Sequence, residues 1–116
     1  MTDGREVPNG HLLDDIARDF ADEHDVVMGT MFRSPGLRVG GKVFAFLGSN
    51  GELIVKLPRT RAAELVDEGT AEAVVMGKRT MRKWILLPAR GDSASKLTLW
   101  RDLAYEAYRF VGALKR

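Results

Sequence analysis

Residues 37–57 read LRVGGKVFAFLGSNGELIVKL, and this stretch decides the fold class. Its residues are mostly apolar and β-forming, and short runs of them are bounded by glycine, which is typical of β-strands. Gly40-Gly41 and Asn50-Gly51 each favour a two-residue hairpin, because both positions of such a pair tolerate a positive φ. The stretch therefore predicts three antiparallel strands joined by two tight turns.

The two turns also predict a register and two sheet faces. The predicted cross-strand pairs are Phe46 with Val55, Phe44 with Leu57, and Leu37 with Phe44. The predicted core face is wholly apolar and consists of Leu37, Phe44, Phe46, Leu53, Val55 and Leu57. The reverse face is mixed and consists of Arg38, Val43, Ala45, Leu47, Ile54 and Lys56. Because Val43, Leu47 and Ile54 are more apolar than a solvated face needs, we expect a helix or a second subunit to cover them.

Helical patterns precede and follow these strands. Residues 1–8 are predicted to be a flexible arm, and residues 9–116 to form one domain. Asn9, Thr60 and Ser95 are the predicted N-caps of three helices, and Gly69 is predicted to end the second. The apolar stripe predicted for the last helix consists of Trp100, Leu103, Ala104, Ala107, Val111 and Leu114. Further strands are predicted at residues 26–32 and 84–87, with a basic loop at residues 78–83. The predicted fold class is α+β: an antiparallel meander of about four to five strands with helices packed on it, in the order α-β-β-β-β-α-β-α.

Composition narrows the function classes. The 116 residues suffice for one core, and 45% hydrophobic with 29% charged residues is typical of a globular domain. The absence of cysteine excludes disulfides and thiolate chemistry. No apolar run is long enough for a membrane span, and the acidic first 25 residues do not resemble a signal peptide. We therefore expect a cytoplasmic protein with no membrane partner.

Charge is unevenly distributed along the chain. Residues 1–58 hold six Lys/Arg and nine Asp/Glu, whereas residues 59–116 hold twelve and seven. Such asymmetry indicates a basic face, unless the two halves interleave in space and their charges cancel. The densest cluster of positively charged residues consists of Lys78, Arg79, Arg82 and Lys83, and Trp84 directly follows it. These cations could contact phosphates and Trp84 could stack on a base; the alternative is a solvated loop with Trp84 in the core.

Catalytic and metal-binding patterns are not found in the sequence. His11 and His24 are the two histidines, and no cluster of further ligands accompanies either. The serines fall in predicted turns or caps, and no glycine-rich phosphate loop opens a helix. We expect no enzyme activity, no catalytic residue, no metal and no cofactor.

Two blocks of this chain resemble the TfoX N-terminal domain family, and the related MmcQ/YjbR group has a similar helix–meander–helix pattern. The first block consists of Met31-Phe32, Gly36-Leu37, Gly41-Lys42, Phe44-Ala45, Glu52-Leu53 and Val55-Lys56. The second is the basic segment at residues 78–84, KRTMRKW. Arg33-Ser34 stands where the TfoX family usually has Gly-Gly, and Thr80 where proline is common.

The resemblance implies a role linked to transcription regulation in bacterial natural competence. It leads us to expect a non-enzymatic regulatory or protein-interaction domain whose partner is another protein or a second copy of the chain. The alternative that the residues themselves favour is a weak, sequence-independent nucleic-acid binder that uses residues 78–83.

Overall fold

The computed structural model describes residues 10–20, 26–31, 34–48, 51–88 and 93–114. The predicted arm at residues 1–8, the predicted cap Asn9 and the histidine His24 lie outside these ranges. The helices are α1 (Gly10–Asp19), α2 (Arg59–Asp67) and α3 (Ser93–Leu114). The strands are β1 (Val26–Met31), β2 (Ser34–Val39), β3 (Lys42–Leu47), β4 (Leu53–Lys56), β5 (Glu72–Met76) and β6 (Arg79–Leu87).

The six described strands form one antiparallel sheet in the order β1-β2-β3-β4-β6-β5. Helix α3 lies across β2, β3 and β4 and contacts α1, while α2 packs on β5 and β6. All three helices cover the same face of the sheet, because their buried residues join one core cluster. The α+β fold class predicted from the sequence is therefore confirmed, with one more strand than the predicted order contains.

The first hairpin turn is as predicted. Gly40 and Gly41 both have positive φ, at 60° and 82°, and Val39 pairs with Lys42 across them. Beyond this turn the register shifts, so that Leu37 faces Ala45 rather than Phe44. A bulge of this kind leaves one residue of the longer strand unpaired. The unpaired residue is Phe44, and its ring packs against the helices.

The predicted register of the second hairpin is wrong by one residue. Leu47 pairs with Leu53, and Ala45 pairs with Val55. The reason lies at the turn, where Gly48 and Glu52 close a three-residue loop and Gly51 has a φ of 85°. Three-residue loops with a glycine at this position are the next commonest hairpin type after two-residue loops. The slip moves Ala45, Phe46 and Leu47 to the opposite face from the one predicted, whereas the bulge keeps Phe44 on the predicted core face.

The core lies between the sheet and the helices. Its sheet side consists of Leu37, Val39, Phe44, Ala45, Leu47, Leu53, Val55, Leu57, Ile85 and Leu87. From α3 come the predicted residues Trp100, Leu103, Ala104, Ala107 and Val111. The ring of Phe44 contacts those of Phe20 and Tyr108, at centroid distances of 5.5 and 5.8 Å. The bulged residue thus joins the strand layer to α3 and to Phe20, which directly follows α1.

Ion pairs connect the helices at the surface. Arg61 of α2 donates two hydrogen bonds to Glu106 of α3, with Nε–Oε1 3.0 Å and Nη2–Oε2 3.2 Å. These bonds, together with one to Glu64, raise the pKa of the Arg61 guanidinium above its usual value. Arg101 of α3 forms an ion pair with Asp19 at the end of α1 through its Nε. Both α1 and α2 therefore have a charged contact with α3.

Two of the predicted helix caps are wrong. Helix α2 begins at Arg59 after Pro58, so Thr60 lies inside the helix, and α3 begins at Ser93, two residues before Ser95. Pro58 occupies the N-cap position of α2, and no side-chain hydrogen bond caps this end of the helix. Gly69 follows the end of α2, as predicted. No helix in the described ranges is both long and apolar enough to cross a membrane.

Candidate functional site

The basic segment lies in a hairpin at one edge of the sheet. Strands β5 and β6 are joined through Gly77 and Lys78, and β5 is the outermost strand. The predicted loop at residues 78–83 is therefore mostly strand, because β6 begins at Arg79. The side chains of Lys78, Arg79, Arg82 and Lys83 are all exposed. We call residues 72–87 the basic hairpin.

A hollow of about 340 Å³ opens beside this hairpin, and we call it the basic hollow. Its lining residues are Lys56, Arg59, Arg79, Thr80, Met81, Arg82, Lys83 and Trp84. Five of these carry a positive charge, and none of the described lining residues is a carboxylate. Concave surfaces of one charge sign concentrate counter-ions of the other sign. The arrangement therefore favours an anionic ligand.

Lys56 and Arg59 are members of the basic hollow that the sequence prediction missed. Pairing of β4 with β6 places Lys56 opposite Trp84. Arg59 follows three residues later, where α2 begins at the same end of the sheet. The two positive charges are visible in the segment Lys56-Leu57-Pro58-Arg59. They lie beside the basic hairpin only because β4 pairs with β6, and these strands are not consecutive in the chain.

Trp84 lies at the boundary between surface and interior. Its ring packs edge-on against Phe46 at 5.5 Å, and the Lys56 ammonium lies 5.8 Å from its centroid. The side chain is half-buried on the face opposite the helices, so the alternative that placed Trp84 in the core is wrong. Trp100 is the tryptophan of the core. Trp84 thus forms part of the wall of the basic hollow.

The four predicted cations differ in where they lie. Arg79, Arg82 and Lys83 line the basic hollow, whereas Lys78 lies at the hairpin turn and is not part of the lining. The Lys83 ammonium lies 6.0 Å from the ring centroid of Phe110 in α3, within the range of a cation–π contact. Arg79 and Arg82 are therefore the predicted residues best placed to meet a ligand.

A second cavity adjoins the basic hollow. This cleft of about 440 Å³ lies between α2 and the basic hairpin. Both cavities are lined by Arg59, Thr80, Met81, Arg82 and Trp84. The remaining walls of the cleft come from Thr60, Ala62, Ala63, Val66, Asp67, Ala73 and Ile85. The cleft is thus largely apolar, and it shares its cationic side with the basic hollow.

The predicted interface residues do not share one face. Ile54 and Val43 are half-buried on the face opposite the helices, whereas Leu47 is fully buried in the core. The physical reason for this correction is the one-residue register difference in the second hairpin. Pairing with Ile54 instead places Phe46 and Leu86 on the uncovered side. We call Val43, Phe46, Ile54, Trp84 and Leu86 the open face.

Metal-ligating residues do not gather in the described part of the chain: no three His, Cys, Asp or Glu residues there could hold a metal ion. His11 falls in α1 and His24 outside the described residues.

Comparison with known families gives one match, to the YjbR family, over residues 23–110. The matched segment includes all six described strands, α2 and most of α3. The chain belongs to the YjbR family. This is the group related to the TfoX resemblance, and the match does not show the TfoX N-terminal domain itself. No curated protein and no solved structure matches the chain.

Proposed function

We propose that this YjbR-family protein is a non-enzymatic, cytoplasmic domain that binds nucleic acid through the basic hollow. The observation that carries the proposal is the set of five cations around one concavity without a carboxylate in its described lining. Lys and Arg are the residues that neutralise phosphates, and they do so without reading the base sequence. Binding is therefore weakly dependent on sequence and strongly dependent on salt.

The TfoX resemblance supports the biological side of the proposal. A regulator of transcription, as in natural competence, has to meet nucleic acid directly or through a partner. The basic segment at residues 78–84 is one of the two blocks that carry the resemblance. A nucleic-acid contact at this segment gives that block a physical role.

Charge reversal at the hairpin tests the proposal. We expect the variant Arg79→Glu/Arg82→Glu to bind a fluorescent oligonucleotide at least about tenfold more weakly than the wild type in low salt, because two phosphate contacts become repulsive. Fluorescence anisotropy measures the affinity. The matched control is Arg18→Glu/Lys96→Glu, which changes net charge equally but lies on α1 and the start of α3, outside the basic hollow.

Equal losses in the two double variants would show that net charge, rather than the basic hollow, governs binding. Absence of any oligonucleotide binding by the wild type in low salt would contradict the proposal itself.

The open face supports a second candidate function, self-association. Its apolar side chains are half-buried, apart from Phe46, which is buried, and no described helix covers them. Apolar sheet faces of this kind are typical of protein interfaces. Val27 extends the face along β1, opposite Arg38, and is 58% exposed.

Sedimentation equilibrium at high protein concentration tests this second candidate. We expect a dimer that Ile54→Lys returns to monomer, since a charge in the middle of the open face would be buried in the interface. Lys42→Glu, an exposed change at the β2–β3 turn, serves as the control. A wild-type protein that stays monomeric throughout contradicts self-association through this face.

A further inference from the structure

The cleft between α2 and the basic hairpin differs in chemistry from the basic hollow beside it. Its apolar wall consists of Ala62, Ala63, Val66, Ala73, Met81 and Ile85. A volume of about 440 Å³ is in the range of small-molecule sites. The small alanine side chains leave this space open between the helix and the hairpin. The cleft therefore suits a compact apolar group.

The charged side chains at the cleft indicate that the apolar group belongs to a larger, partly anionic molecule. Arg59 and Arg82 line both the cleft and the basic hollow, so one molecule can occupy both cavities. Asp67 lines the cleft but not the hollow. A carboxylate repels phosphate, so the cleft favours a neutral group while the anionic part of the same molecule lies in the hollow.

We infer that the cleft receives an unstacked base of a single-stranded nucleic acid whose phosphates lie in the basic hollow. The inference rests on the proposed function and names its substrate class. A nucleobase is neutral, has apolar faces and is joined to a phosphate backbone, so it matches both cavities. The hydroxyls of Thr60 and Thr80, which also line the cleft, can bond to the edge of a base.

This placement of a base also predicts whether the protein prefers single-stranded or double-stranded nucleic acid. Bases in a duplex are stacked and paired, and they reach such a cleft only by flipping out, which costs the free energy of unstacking and unpairing. Single strands present unstacked bases directly. The protein therefore binds a single strand more tightly than the matching duplex. An acidic peptide with apolar side chains shares some of this chemistry and is one outcome of the test.

Fluorescence anisotropy with three labelled oligonucleotides of equal length tests the inference: an intact single strand, its duplex, and an abasic single strand that keeps every phosphate. We expect the intact strand to bind about tenfold more tightly than the abasic strand, as stacking or burial of one base provides. The variant Ala63→Phe fills the cleft and lowers the affinity for the intact strand to that for the abasic strand. Its affinity for the duplex stays unchanged.

The controls keep the test independent of folding. Ala113→Phe places the same ring at an exposed alanine of α3 that lines neither cavity, and leaves all three affinities unchanged. Ala73→Phe fills the cleft from β5 rather than α2 and has the same effect as Ala63→Phe. The comparison of intact and abasic strands uses the wild-type protein alone.

Three results would overturn the inference. Equal wild-type affinity for intact and abasic strands means that no base enters the cleft, while the proposed function stands. Displacement of the oligonucleotide by an acidic, phenylalanine-containing peptide at similar concentration means that the cleft serves a protein partner. Failure to bind any of the three oligonucleotides removes the proposed function as well.

Discussion

Leu47 and Ile54 were predicted to share a sheet face, yet they lie on opposite faces of the same hairpin. Leu47 is fully buried under the helices, and Ile54 is half-buried on the open face. The composition of residues 37–57 does not reveal the difference, because both faces of β3 and β4 are largely apolar. Only the length of the turn at Gly51 decides the register.

This difference gives a prediction at the level of single residues. We expect Leu47→Ala to lower the free energy of unfolding by about 2–5 kcal/mol, since it leaves a cavity in a packed core. Ile54→Ala removes a side chain of similar size from a half-buried position and costs clearly less. Urea denaturation of both variants measures the two values. Similar losses for the two variants would instead support the register predicted from the sequence, which places both residues on the reverse face.

Among the elements, those with a local signal were predicted well. The apolar stripe of α3 and the turn at Gly40-Gly41 each depend on residues within a few positions, and both are as predicted. Strand β5 was missed because its residues 73–76 form a short apolar run bounded by turns, without a clear period of either helix or strand. It forms as a strand because β6 provides a pairing partner at the sheet edge.

The candidate site was likewise predicted only where its residues are close together in the sequence. Arg79, Arg82 and Lys83 were identified from their closeness in the sequence. Lys56 and Arg59 were not, because they reach the basic hollow through the pairing of β4 with β6, which skips β5 in chain order. A cluster assembled by tertiary contacts has no signature within a short window of sequence.

At the scale of the whole molecule, part of the excess positive charge of residues 59–116 lies together at one edge of the sheet. Four of the five cations around the basic hollow come from residues 59–116, the basic half of the chain. Elsewhere the charges of this half meet acidic partners, as Arg61 does with Glu106 and Arg101 with Asp19. The first pair lies within the basic half and the second joins it to the acidic half, so the halves interleave where α1 meets α3, while the sheet edge keeps a concentrated positive charge.

The salt dependence of oligonucleotide binding tests the central claim most directly. We expect log K to fall linearly with log salt, at about −0.7 per phosphate contacted in a single strand, which gives a slope near −3.5 for all five cations. Arg82→Gln removes one contact and makes the slope shallower by about 0.7. A wild-type slope near zero, or one that Arg82→Gln leaves unchanged, would contradict phosphate binding in the basic hollow.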